Sequence, residues 1–278
     1  MSITRPLWRL LLAASALGPA RALAAPAVAV SDLDADYTGT SHGLVVLRLS
    51  AEAALTPSTY NVHLHYRVAG LIGLFTRTED DSRTEGAFTA SGVAPVRFSS
   101  TGFLRGNHRA TEIVYTAGNP VIRTVEPPPE QERTPVPVAM TRGTVDTLSA
   151  IALLLHRLGA GGACNGLLTT FDGRRVSELT ATDAGTVTLP RTGRIGYAGP
   201  AHRCDFVGRQ TAGYKLTQPV AERGKPKQGS AWLAPIVPNA PPVPVRVEFD
   251  NDVLGHVTLT LDRVGGGSHG AQALGDRG

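Results

Sequence analysis

Tyr60-Asn61-Val62-His63-Leu64-His65-Tyr66-Arg67-Val68 decides the fold. Tyr, Val, Leu, Tyr and Val alternate without a break with Asn, His, His and Arg. A period of two puts one row of side chains into a core and the other into water. The same rhythm returns in Leu47-Arg48-Leu49, in Val243 to Asp250 with Val243, Val245, Val247 and Phe249 inward, and in Val257-Thr258-Leu259-Thr260-Leu261. Antiparallel sheet with one covered face is the architecture such strands build. Weaker strand candidates run over 71–78, 96–103, 111–115, 167–171, 174–180, 204–207 and 231–233. Turn residues at Gly92, Asn107, Asn119-Pro120 and Asp172-Gly173 separate some of them.

The 278 residues include 31 Gly and 20 Pro, a punctuation that favours many turns over long helices. One segment breaks the strand rhythm: Asp146-Thr147-Leu148-Ser149-Ala150-Ile151-Ala152-Leu153-Leu154-Leu155-His156-Arg157-Leu158-Gly159. Asp146 can cap the N-terminus, Leu148, Ile151, Leu155 and Leu158 recur at helical spacing, and Gly159 is a stop signal. Ala152, Leu153 and Leu154 widen the apolar stripe, so this helix is expected against the concave side of the sheet. The Pro-rich, acidic Glu126–Pro137 suits neither helix nor central strand and is expected to cross the surface. The fold class that follows is mainly β, a curved antiparallel sheet or half-barrel with one buried α-helix. It forms one domain over 25–264, followed by a disordered tail over 265–278.

The N-terminus carries Arg5 and Arg9, an apolar run from Leu10 to Leu17, and the small-residue stretch Ala22-Leu23-Ala24, the three regions of a secretory signal peptide over residues 1–24. The run is too short to span a bilayer, so no stable membrane span is expected after cleavage. Cleavage removes Arg5, Arg9 and Arg21, and the 27 basic residues fall to 24 against 23 acids. A nearly neutral mature chain without a basic face excludes nucleic-acid binding. In an exported chain, two cysteines pair by default, which makes Cys164–Cys204 a disulfide. A redox pair or a pair of metal ligands is the rival reading, weakened by the lack of a Cys-x-x-Cys spacing.

The order of Tyr60–Tyr66 followed by Gly70-Leu71-Ile72-Gly73, the Pro-rich Glu-Arg segment, Val145–Ala150, Phe171-Asp172-Gly173-Arg174-Arg175, Tyr197–Cys204 and Pro244-Val245-Arg246-Val247-Glu248 carries a resemblance. From Tyr37 to Arg263 the chain resembles the bacterial periplasmic family of domain of unknown function 3108 (DUF3108). The resemblance implies a secreted, mostly β protein of Gram-negative bacteria, located in the periplasm, and brings no activity with it. Its curved sheet and helix are similar at fold level to the LolA-like lipoprotein carriers, an analogy that says little of function by itself.

Chemistry-bearing constellations are sparse. His63 and His65 lie on one side of a strand about 7 Å apart, a spacing that zinc sites use, but a metal site needs a third ligand and none is adjacent in sequence. Asp80-Asp81 reads as a solvated turn. Asp172-Gly173-Arg174-Arg175 reads as a hairpin turn whose two arginines point to opposite faces and so grip one anion poorly. No nucleophile elbow, zinc-protease motif, phosphate loop or dinucleotide fingerprint occurs. The expectation is therefore a non-enzyme without cofactor or metal.

The apolar interior remains as the candidate site. Tyr60, Val62, Leu64 and Tyr66 on the strand, Leu71 and Ile72 as a flexible lip, and Ile151 and Leu155 on the helix are expected to line a groove for a lipid or other hydrophobic small molecule. Two other classes stay open: an envelope assembly factor that binds a protein by strand addition at a sheet edge, and a metal-dependent hydrolase using His63 and His65.

Overall fold

The computed structural model describes residues 31–191, 196–266 and 269–273; the signal-peptide reading over 1–24 lies outside them. Strands β1 (Ser31–Ser41), β2 (Leu44–Leu55) and β3 (Thr59–Val68) open an antiparallel meander. It continues through β4 (Glu79–Thr89), β5 (Gly92–Leu104), β6 (Asn107–Thr116) and β7 (Asn119–Glu126). A second meander comprises β8 (Gly166–Phe171), β9 (Val176–Leu189), β10 (Gly199–Ala212), β11 (Lys227–Ala234), β12 (Val243–Asn251) and β13 (Gly255–Gly266). The two meanders join where β1 pairs with β13, and the path runs β7-β6-β5-β4-β3-β2-β1-β13-β12-β11-β10-β9-β8. It curls into a nearly closed barrel.

Hairpin chemistry fixes the register locally. His42-Gly43, Arg105-Gly106 and Ala117-Gly118 each place two consecutive residues at positive φ, the backbone of the two-residue turn whose twist matches paired strands. In the register, Leu49 lies opposite Tyr66, Ala51 opposite Leu64, Ala53 opposite Val62 and Leu55 opposite Tyr60. The alternation in β3 therefore delivers one continuous inner face.

The helix lies between the meanders. Helix α1 (Gly70–Phe75) and α2 (Val138–Thr141) are short; α3 (Thr147–Gly159) is the long one. Asp146 caps α3 as expected, accepting from the Ser149 backbone N–H at 2.9 Å. The helix packs against β3, β4, β5 and β8, and Leu148, Ala152, Leu155 and Leu158 join Tyr60, Val62, Phe98 and Ile113 in one core. Cys164 and Cys204 are joined as a disulfide that ties the segment after α3 to β10.

A path of thirteen antiparallel strands has its first and last strands running the same way, so β7 and β8 cannot close by continuing the antiparallel ladder. Connecting segments and side chains close the seam instead, and Val145, just before α3, forms a parallel bridge with Thr170 of β8. From the β8–β9 turn, the buried Arg174 guanidinium donates to the carbonyls of Glu126 and Pro127 at the end of β7, the latter at 2.8 Å. The Pro-rich connector then crosses the same end of the barrel as a strap: Arg109 grips Glu132 through both nitrogens, Thr134 N–H donates to Tyr214 at 2.8 Å, and Leu216 N–H donates to Glu132 at 2.8 Å.

Several sequence expectations are corrected. The 71–78 run is not a strand, since Gly70–Phe75 forms α1; a short apolar run carries too little periodicity to separate the two. Asp80-Asp81 is not a turn but part of β4, held between β3 and β5. Ile151 is 37% exposed rather than on the buried face, because Thr147, Ile151 and Leu154 form the least buried stripe of a helix that is covered on most other sides. Within the tail, Gly265 and Gly266 extend β13, and β14 (His269–Ala273) pairs with β13.

Arg174→Met keeps the aliphatic stem and strips the Glu126 and Pro127 carbonyls of their charged donor, which is expected to cost about 3 kcal/mol in urea unfolding. Amide exchange should accelerate first along β7 and β8.

Candidate functional site in the barrel interior

The inner face divides into two zones along the barrel axis. Around α3 it is sealed: Tyr60 and Val62 are buried in the core, as is Leu155. Beyond the helix N-terminus, toward the end that holds the strap, Leu47, Val257 and Leu259 form a further buried cluster; Leu49, Tyr66, Val247 and Phe249 pack against it, and Leu64 against the α3 core, while remaining partly accessible. Of the residues read as groove-lining, Tyr60, Val62, Leu64, Tyr66 and Leu155 share this interior. Leu71, Ile72 and Ile151 do not: all three are exposed, the first two on α1.

Each zone has a polar centre that the sequence did not mark. In the sealed zone, Asp146 and Ser149 are 0% exposed. The Ser149 hydroxyl donates to Asp146 Oδ2 at 2.6 Å and Thr84 donates to the same oxygen at 3.1 Å. Tyr60 donates to Ser149 Oγ at 2.8 Å. The buried Tyr115 hydroxyl lies beside this carboxyl without a bond of good geometry. Burial pushes the Asp146 carboxyl above its ordinary range, against the opposing pull of these donors. A serine and an acid are adjacent here, but no imidazole joins them: His156, on the same helix, stacks on Phe88 with ring centroids 3.8 Å apart. The network satisfies a cap and fixes the helix in the barrel; being sealed, it offers no surface to a substrate.

In the accessible zone, Asp80 turns inward beside Tyr66, its cross-strand partner. Ser100 donates to Asp80 Oδ1 at 2.5 Å and Ser82 to Oδ2. Burial, then the Asp80 charge, raises the Tyr66 phenol. Arg175 opposes that rise from the β8–β9 turn, paired to Asp172 at 2.7 Å with its side chain still 51% accessible. This half of the interior thus combines an apolar wall with a carboxylate, a phenol and a guanidinium. Spacing could have found Asp80, two residues before Ser82 in a strand register, had β4 been recognised.

The remaining constellations sit outside the interior. His63 and His65 point outward, where His63 Nε2 meets Asp81 at 2.6 Å and Nδ1 meets Glu52 at 3.4 Å; His65 Nδ1 is 3.9 Å from Asp81. The structure sets two acids, not a third imidazole, beside the pair. On the same outer surface a depression is lined by Asp36, Arg48, His65, Arg67, Asp262 and Arg263. Most of its charges are matched, with Arg263 on Asp36 at 2.5 Å and Arg48 on Asp262 at 3.5 Å. Cys164, Cys204 and His202 hold donor atoms within 4.8 Å of one another, but both sulfurs are committed to the disulfide, and His202 is held by Asp183 at 2.6 Å. Arg174 and Arg175 do diverge, as the turn reading required, although Arg174 serves the seam.

The model of the family described as "Protein of unknown function (DUF3108)" matches residues 32–262. The chain belongs to the DUF3108 family. Among solved structures, this DUF3108 chain is similar to a β-barrel-like protein of domain of unknown function DUF1849 from Brucella abortus, at 15% identity and a TM-score of 0.51. The match covers 87% of this chain and 100% of that one. The likeness establishes the fold alone. No curated protein matches the chain.

The pH dependence of stability carries the signature of Asp146. A carboxyl raised on folding holds its proton more tightly in the folded chain, so its stabilising contribution is complete below the unfolded value near 3.8 and drains away as pH rises through the folded value. Asp146→Asn keeps an acceptor for the Ser149 N–H and removes the titration. The stability of wild type relative to Asp146→Asn is expected to fall as pH rises above about 4, read as the shift between their urea midpoints.

Proposed function

We propose that this DUF3108 chain is an exported, non-catalytic protein of the periplasm that binds or carries a hydrophobic, lipid-like molecule in the accessible half of its barrel. The observation that carries the reading is the row Leu49, Leu64, Tyr66, Val247 and Phe249, inward-facing yet partly accessible. The row packs against buried clusters on one side and keeps accessible surface on the other; an occupant that covers that surface gains about 0.8 kcal/mol per buried methylene. Asp80, Tyr66 and Arg175 give the same space a polar pole, so an amphiphile fits it better than a plain hydrocarbon. Export is supported by the basic, apolar and small-residue regions of the first 24 residues and by the disulfide. The sealing of Asp146 and Ser149 from solvent supports the absence of catalysis at that pair.

Protein purified from the envelope without detergent is expected to release lipid on organic extraction and, once stripped, to bind a fluorescent fatty acid. Ala51 lies on the inner face opposite Leu64. Ala51→Phe fills the space there and is expected to weaken the probe at least about tenfold with the circular dichroism spectrum unchanged. Stripped wild type that takes up no probe overturns the reading.

A second reading rests on β7, whose outer edge has no strand partner among the described residues and exposes Val121 and Ile122. A partner strand could add there. Under that reading Ile122→Pro abolishes a defined crosslinked partner while fatty-acid binding persists.

A further inference from the structure

Helix α1 violates the usual economy of apolar surface. Its sequence is Gly-Leu-Ile-Gly-Leu-Phe, and none of its residues is buried. Leu71 is 68% exposed, Leu74 76% and Phe75 89%. Single exposed apolar residues need no explanation, but a helix made of them does. The backbone around them is firmly held. Ala69 N–H donates to Val46 O at 2.9 Å, and at Gly70, with φ +63, an added Cβ would lie 2.1 Å from Val45 O. The apolar side chains are therefore presented by a fixed platform.

The neighbouring connections at this end of the barrel do the same. Leu44 opens β2 after the His42-Gly43 turn, Leu104 closes β5 before Arg105-Gly106, and Val253 tips the β12–β13 turn, all exposed. The turns touch in sequence around the rim: Ser41 Oγ donates to Leu254 O at 2.7 Å, and Gly106 N–H to Arg77 O at 2.8 Å just after α1. The β10–β11 connection adds Leu216 and Val220.

Basic side chains accompany these tips. Arg105 follows Leu104 and Lys215 precedes Leu216, both exposed and without an ion pair among the described residues. Arg223, near Val220, sits over Tyr214 rather than on an acid. Separate apolar tips fringed by unmatched cations complement a surface with negative headgroups outside and hydrocarbon within.

We infer that this rim docks on an anionic lipid bilayer, with Leu71, Leu74 and Phe75 entering the acyl boundary and Arg105 and Lys215 meeting phosphates. The apolar residues sit on the tips of five separate connections, which suits a fluid bilayer; a protein partner would need one contiguous complementary face. The inference extends the carrier reading by placing the open half of the barrel against the source of its ligand, but docking and loading are measured separately. Docking is tested on stripped protein, with no probe in the interior.

The test uses the mature full-length chain and vesicles of phosphatidylglycerol and phosphatidylethanolamine. Wild type is expected to co-sediment at low salt, more weakly with phosphatidylcholine alone or at high salt, and Phe75→Trp should blue-shift its emission on binding. Leu74→Asp with Phe75→Asp should lower the bound fraction at least tenfold while the melting curve stays unchanged, because neither side chain is buried. Ile122→Asp, an equally polar change on β7, should leave binding intact. Failure of wild type to bind the anionic vesicles overturns the inference, as does equal loss in both variants. A dimer in solution that Phe75→Asp dissociates overturns it in favour of a second copy. Loss of fatty-acid uptake with vesicle binding intact strikes the carrier reading alone.

Discussion

One buried cation ties the seam between the first and last strands of this barrel. Two antiparallel meanders joined at β1 and β13 leave a seam between strands that point the same way, and no ladder of the prevailing kind can span it. Arg174 spans it by donating to carbonyls that end β7. Hydrogen bonds to a charged group are each worth roughly 1.5–3 kcal/mol, and a buried guanidinium without them would be far costlier than none at all. The strap reinforces this contact, since Glu132 and Thr134 carry the chain from the β7 side to the β10–β11 connection.

Inside, the helix divides the barrel into unlike compartments. Around α3 the packing is dense and its one carboxyl is ringed by donors, the arrangement that desolvation demands of a buried acid. On the other side of Asp146 the wall changes character: Ser82, Ser100 and Asp80 replace the apolar residues that β4 and β5 would otherwise turn inward. A barrel built only for stability gains nothing from a carboxylate there. The polar pole is the feature on which the proposed binding compartment rests.

Much of the architecture was legible in the sequence. The alternation of Tyr60–Val68 and of Val243–Asp250 carried the sheet and its buried face, and Asp146, Leu148 and Gly159 carried the helix. What escaped was structure imposed by neighbours. Strand β4 reads Glu-Asp-Asp-Ser-Arg-Thr-Glu-Gly at its start, and nothing in that string resembles a strand; it is one because β3 and β5 offer it ladders on both sides. Helix α1 escaped for the opposite reason, since Leu-Ile-Gly-Leu-Phe satisfies strand and helix templates alike. Ile151 was misplaced because a helix apolar on nearly every side does not announce which stripe will be left uncovered. The inward aim of Asp80 and the reach of Arg174 follow from register and from closure, which no local pattern encodes.

The joining of β1 to β13 has a consequence for how the chain comes into being. Tyr37 pairs with Leu261 and Thr40 with Thr258, so strands from opposite extremes of the polypeptide become neighbours. Every other ladder on the path, β12–β13 and β8–β9 included, links strands consecutive in the chain, and such short-range hairpins assemble early. The one long-range pairing on the path must wait for β13 to be synthesised. Until then each meander has a bare edge at the future junction, a state open to aggregation or to a chaperone. A chain of this topology completes its native structure only after β13 is free to meet β1, so folding of the whole sheet follows synthesis of nearly all of its strands.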